Sequence, residues 1–212
     1  MSSKIMNLDM LLKTNRTFTD TFKDNRLMQL IDSPMMQEAR NRVRLLDCIQ
    51  VFSNYFQKTV MLRAVLNQNH RYVPIVRAHL VEEFGHDVAL MHDRKDREPI
   101  WDPILEACSC WFSWQMLSLD NSEKTVLVHM VLEASAHLFF IQAHRVMRQY
   151  AETDYFKIHA DVDEHHETMG LDLLTGLRDL DYQRLSEIQQ QGWDMLNTAC
   201  CRMAELTQAF AD

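Results

Sequence analysis

Two short stretches repeat one spacing of metal-binding residue types. In HLVEEFGHD, His79 is followed by Glu83 and His86, and in HADVDEHH, His159 is followed by Asp163 and His166. Offsets of four and seven return a residue to the same side of an α-helix, so each triplet falls within a sector of about 60° and presents nitrogen, oxygen and nitrogen together. A carboxylate between two imidazoles is a ligand set for a divalent cation. The second stretch is also acidic beyond its surroundings: KIHADVDEHHETMG holds three histidines and four acids, with Lys157 as its one cation. Asp161 and His165 fall on the opposite side and read as solvent-facing.

A third contributor is Glu133, set among Val, Leu, Ala and Phe in VLVHMVLEASAHLFF. An ionised carboxylate on so apolar a face is costly unless it is paired, hydrogen-bonded or bound to a metal. His129 and His137 lie one turn either way and His144 two turns further, as supporting groups or ordinary interior histidines. The plainer readings are a solvated acidic helix around His159, a solvated Glu82–Glu83 pair with Gly85 easing helix packing, and a buried salt bridge from Glu133 to Arg63 or Arg77.

These residues need helices to carry them. The chain has 212 residues with four Gly and four Pro, too little turn punctuation for a sheet protein, and no Gly/Pro/Ser-rich seam divides it. We read one all-α domain spanning 1–212, with about seven helices. Ser33-Pro34 opens a helix running to about residue 67, and Pro74 lies in the first turn of one over about 73–94. Asp102-Pro103 starts a third. SLDNSE caps a fourth over about 123–150, KIHADVDEHH lies on a fifth over about 154–177, and DYQRLSEIQQQ begins the last.

The net charge of −8, without a basic block, argues against nucleic acid as a partner. No apolar run reaches the roughly 20 residues of a membrane span, and MSSKIMNLDMLLKTNR lacks the apolar core of a secretion signal. A cytoplasmic protein is expected, without membrane partners. Five cysteines without disulfide or zinc spacing fit that compartment and are read as buried, quiet thiols.

Glu83-x-x-His86, the later Glu133 and His159-x3-Asp163-x2-His166 resemble the ligand pattern of the haem-oxygenase-like diiron oxidases, also called iron-containing redox enzymes, over about residues 75–170. The resemblance implies a seven-helix haem-oxygenase-like bundle and two Fe per chain with O2 as co-substrate. It assigns Glu83, His86 and His159 to one iron, Glu133 as a bridge, and Asp163 and His166 to a second, more labile iron. Glu83, Glu133 and Asp163 are then the carboxylates at the reacting centre. His79 departs from the pattern, either adding a ligand or supporting Glu83. The implied chemistry is oxidation of a small organic substrate by N-oxygenation, oxidative decarboxylation or C–C cleavage. An external electron donor is expected, and a homodimer is the one assembly considered.

Mixed imidazole and carboxylate ligation without thiolates suits iron or manganese by itself. The rival readings come from the same bundle. Metal-free enzymes resembling thiamine-degrading aminohydrolases, or the cofactorless oxidase that completes pyrroloquinoline quinone, work with a Cys, Tyr or Glu. Haem oxygenase needs a proximal histidine near the N-terminus, yet none precedes His70. A non-catalytic helical partner protein would leave the clustered histidines exposed.

Overall fold

Side-chain caps start the helices. Asn7 Oδ1 accepts from the Met10 amide at 3.0 Å, Asn25 Oδ1 from Leu27 at 2.9 Å, and Asp102 Oδ1 from Leu105 at 2.9 Å. Asp120 and Glu123 cap each other reciprocally, each at 2.9 Å. Each bond satisfies an amide that the first helical turn leaves without a partner.

The computed structural model describes residues 7–150, 155–157, 159 and 166–209. Eight helices form its framework: α1 (Leu8–Phe22), α2 (Arg26–Ile31), α3 (Ala39–Leu66), α4 (Val73–Glu83), α5 (His86–Asp93), α6 (Pro103–Ser118), α7 (Asn121–Met147) and α8 (Asp179–Gln208). No strand occurs among the described residues. Residues 155–157 and 159 are helical, and single 3-10 turns follow at His166–Thr168 and Leu171–Leu174.

Helix α3 packs along α6, and α8 closes against α6, α3 and the middle of α7. The core between them includes Leu45, Cys48, Phe112, Met116, Leu127, Val131, Trp193 and Leu196. Gly192 lets α8 approach α7: a Cβ there would come within 2.6 Å of Leu127 Cδ1 and 3.2 Å of Val131. The all-α architecture expected from the sequence is present, with eight helices among the described residues where about seven were expected.

Four local expectations are corrected. Ser33 does not cap a long helix: its hydroxyl donates to Leu30 O at 2.7 Å, Pro34–Gln37 make a 3-10 turn, and α3 begins at Ala39. The helix expected over 73–94 is broken where Phe84 turns extended and Gly85 takes a left-handed φ of 92°. The helix expected over 154–177 does not continue, because 3-10 turns and a left-handed Gly170 (φ 76°) occupy 166–174. Finally, α7 is long and apolar enough to cross a membrane by length and composition, although 72% of its apolar window is buried inside the bundle. The polar side chains His129, Glu133 and His137 interrupt that run without raising its charge beyond one carboxylate.

Candidate metal centre

The break between α4 and α5 aims the first triplet. Glu83 ends α4, and the Gly85 amide donates to Gln57 Oε1 at 2.8 Å, which ties the kink to α3. His86 then opens α5 on a new axis. Only glycine adopts a φ of 92° without the clash that a Cβ meets there.

The middle of α7, Val126–Glu133, is a π-helix, a form seen mostly in short pieces and often at functional sites. It carries His129 and Glu133, which are 0% and 3% exposed. His79 Nε2 lies 2.8 Å from Glu133 Oε1. His166 Nδ1 lies 3.2 Å from Glu83 Oε1 and 3.4 Å from Glu133 Oε2. The other His166 nitrogen, Nε2, lies 2.8 Å from Glu82 Oε2. One donor atom from each of His79, Glu83, Glu133 and His166 falls within 4.8 Å of the others, and all four residues are buried.

A second group shares Glu83. His86 Nδ1 is 3.0 Å from Glu83 Oε2, and the His86 and His159 ring centres are 4.5 Å apart. Donor atoms of Glu83, His86 and His159 again lie within 4.8 Å. His159 Nδ1 faces Tyr155 O at 2.7 Å. A carbonyl only accepts, so Nδ1 carries the proton and Nε2 keeps its lone pair. The ring stacks on Phe140 at 4.0 Å, which fixes its plane.

Behind the first group sits a buried cation. Arg63 is 1% exposed; its Nη1 lies 2.7 Å from His129 Nε2 and its Nη2 donates to Thr125 Oγ1 at 3.3 Å. His129 Nδ1 lies 2.8 Å from His166 O. A guanidinium only donates and a carbonyl only accepts, so His129 is neutral with its proton on Nδ1. Arg63 therefore holds His129, and His129 holds the main chain at His166. The salt bridge considered from Glu133 to Arg63 is replaced by this relay.

The charges follow from these contacts. Burial opposes ionisation of Glu83, yet the bonds from His166 and His86 outweigh it and hold its carboxyl well below the usual range. Burial likewise opposes the charge on Glu133, and His79 and His166 override it. Burial alone would lower His166, but the Glu133 and Glu83 carboxylates raise it to about 11 in the metal-free protein. Burial pushes His159 down to about 4, only partly offset by Glu83. Burial, then the Arg63 charge, keeps His129 far below its ordinary value.

A cavity enclosing about 690 Å³ of empty space, part of it open to solvent, meets the two groups at Glu83, Glu133 and His159. Its remaining walls are largely apolar, among them Phe52, Phe56, Phe139, Phe140 and Leu196, with Tyr155 and Cys200 also facing it.

The structure thus brings together His79, Glu83, His86, Glu133, His159 and His166, while Asp163 lies outside the described residues. Glu83, rather than Glu133, belongs to both groups, and His79 stands among the donors of the first. His137 and His144 are half-buried on α7 and belong to neither group, and His92 is exposed. Glu82, Tyr155 and Thr125 were not anticipated. The only signal for Glu82 was its place beside Glu83, one residue and about 100° away on the same helix.

The donor set fits a divalent metal by its spacing. Separations of 2.8–3.4 Å between donors match the roughly 3 Å edge of an octahedron with bonds near 2.1 Å. His79 Nδ1, the ring nitrogen that is not against Glu133, is buried without a hydrogen-bond partner among the described residues, at a cost of about 1–3 kcal/mol.

No family model matches the chain. A crystal structure from Shewanella denitrificans OS217, described as a domain of unknown function with a haem-oxygenase-like fold, covers 99% of this chain and 97% of its own at a TM-score of 0.66 and 12% identity. A TenA homolog from Pseudomonas syringae pv. tomato DC3000 covers 96% and 98% at a TM-score of 0.61 and 16% identity. A protein of Rickettsia prowazekii (strain Madrid E), described as uncharacterised, is 31% identical over 201 residues, 94% of this chain and 96% of the relative. The chain belongs to the family of that Rickettsia protein, on a haem-oxygenase-like all-α fold.

Proposed function

We propose that the protein is an oxygen-dependent non-haem iron enzyme that oxidises a small organic molecule, with two metal positions sharing Glu83. The observation that carries this reading is the convergence of four imidazoles and two carboxylates, without a thiolate, at the end of an apolar cavity. His79, Glu133, His166 and Glu83 would hold one metal, and Glu83, His86 and His159 the other. Asp163 remains a proposed further ligand of the pair. Reduced iron, when bound, would supply the electrons that O2 needs and that protein side chains lack.

The chain's own groups orient and insulate. Glu82 fixes the outer nitrogen of His166, and Tyr155 O fixes that of His159, so each ring presents its other nitrogen inward. Arg63 brings one positive charge near the buried Glu133 carboxylate and so lowers the cost of burying it. Phenylalanine walls make the cavity largely apolar beside the centre, and Glu83 or Glu133 can take up a proton where substrate meets it. An external electron donor and a cytoplasmic setting belong to the proposal; the five free cysteines accord with the latter.

The test is iron stoichiometry in single variants. Glu83→Ala removes a ligand from both groups and takes bound iron from two per chain to none, whereas His86→Ala leaves one. Two irons retained in Glu83→Ala would refute the shared ligand. A second reading, metal-free catalysis, draws on Cys200 and Tyr155 beside the carboxylates and on the likeness to a TenA homolog. Burial holds the Cys200 thiol far above its ordinary value, against a thiolate nucleophile. Activity that survives chelation and disappears in Cys200→Ala would favour that reading.

A further inference from the structure

We propose that the ligand of this cavity is a molecule with one amine head and an uncharged apolar body about two helical turns long. The inference deepens the reading above by naming a substrate class, and its binding argument stands without a metal. Three walls set the length. The cavity runs along α3 from Ile49 to Phe56, along α7 from Leu132 to Phe140, and along α8 from Leu196 to Met203. At 1.5 Å per residue these spans are about 10–12 Å.

Charge sets the head. Among the described residues lining the cavity there is no Lys or Arg, while Glu83 and Glu133 stand at one end. Of the nearby buried cations, neither lines the cavity: Arg63 is engaged by His129 and Thr125, and His166 is shared between Glu83 and Glu133. A carboxylate or phosphate on the ligand's body would be stripped of water with no counter-charge, a cost of several kcal/mol. A protonated amine beside Glu83 and Glu133 pairs with the carboxylate charge that the single His166 cation leaves over, and a neutral amine offers a lone pair to a metal held there. An amine is therefore accepted by the metal-free and by the loaded site, whereas a carboxylate head is accepted only by the loaded one. The ring edges and faces of Phe52, Phe56, Phe139 and Phe140 suit an alkyl or aryl body.

The experiment uses the metal-free full chain, titrated calorimetrically with octylamine, octanol, octanoate and the zwitterion phenylalanine below the concentrations at which the amphiphiles aggregate. Octylamine is expected to bind at least tenfold more tightly than octanoate or phenylalanine, and to lose binding in Ala136→Trp, which fills the cavity. Equal or tighter binding of octanoate or phenylalanine overturns the inference, as does octylamine binding that survives Ala136→Trp with helical circular dichroism intact. The wild-type panel decides the head group even where that variant does not fold. Two bound irons without octylamine binding would sink this inference and leave the metal reading standing; octylamine binding without iron uptake would do the reverse.

Discussion

His129→Leu tests whether Arg63, His129 and His166 act as one unit. The substitution leaves a guanidinium that is 1% exposed with, among the described residues, only Thr125 Oγ1 at 3.3 Å as acceptor, and removes the donor 2.8 Å from His166 O. A buried charge stripped of its partner costs about 3–5 kcal/mol, a large share of the roughly 5–15 kcal/mol that holds a domain folded. Arg63→Met removes the charge instead. It leaves His129 Nε2 an unpaired buried acceptor, at about 1–3 kcal/mol. In Arg63→Met/His129→Leu both polar groups are gone, and apolar side chains of similar volume occupy the space. The double variant should therefore lose at least about 2 kcal/mol less than the sum of the single losses. Urea unfolding, compared at constant m, reads the cycle. Losses that add to within about 0.5 kcal/mol would mean that the two side chains act separately, and the relay would be rejected.

Glu82, on a half-exposed turn, should matter through His166 alone: Glu82→Gln is expected to weaken metal affinity about 10–100-fold with little change in the urea midpoint. The metal-free protein should be most stable near pH 6.5. His166, raised to about 11, contributes stability that is complete below its unfolded value and is lost as pH climbs through 11, whereas His159, lowered to about 4, costs stability as pH falls from about 6.5 to 4. Urea midpoints across pH check both limbs, and saturating metal should remove the alkaline loss. Gly192→Ala should cost about 1–3 kcal/mol, because its methyl would meet Leu127 and Val131 of α7.

Helix starts were legible at Asp102-Pro103 and at Asp120 to Glu123, where a cap spoke with a proline or an acid, but the same pairing at Ser33-Pro34 opens only a 3-10 turn. The donors were legible as residue types at a helical spacing, but that spacing did not describe how they are held. His79, Glu83 and His86 span a break at Gly85, and His166 stands on a 3-10 turn. A glycine inside a helical pattern costs only about 1 kcal/mol, so its presence does not distinguish a tolerated residue from a left-handed one. The π segment was equally hidden, since one apolar run satisfies α and π spacing alike. What fixes His166 comes from residues 37 and 84 positions away, His129 and Glu82, and no local pattern encodes that distance. Glu82 and Glu83 are chemically alike and differ in the direction each faces, which the packing of α4 on α3 decides.

The central claim is that these six side chains hold a pair of irons that react with oxygen. Anaerobic loading with Fe(II), removal of unbound metal, and a count of iron per chain before and after admitting O2 test it directly. Close to two irons per chain is expected, with an oxygen-dependent visible absorption change that His159→Ala abolishes. Wild-type protein that retains no iron, or iron whose spectrum ignores O2, would contradict it.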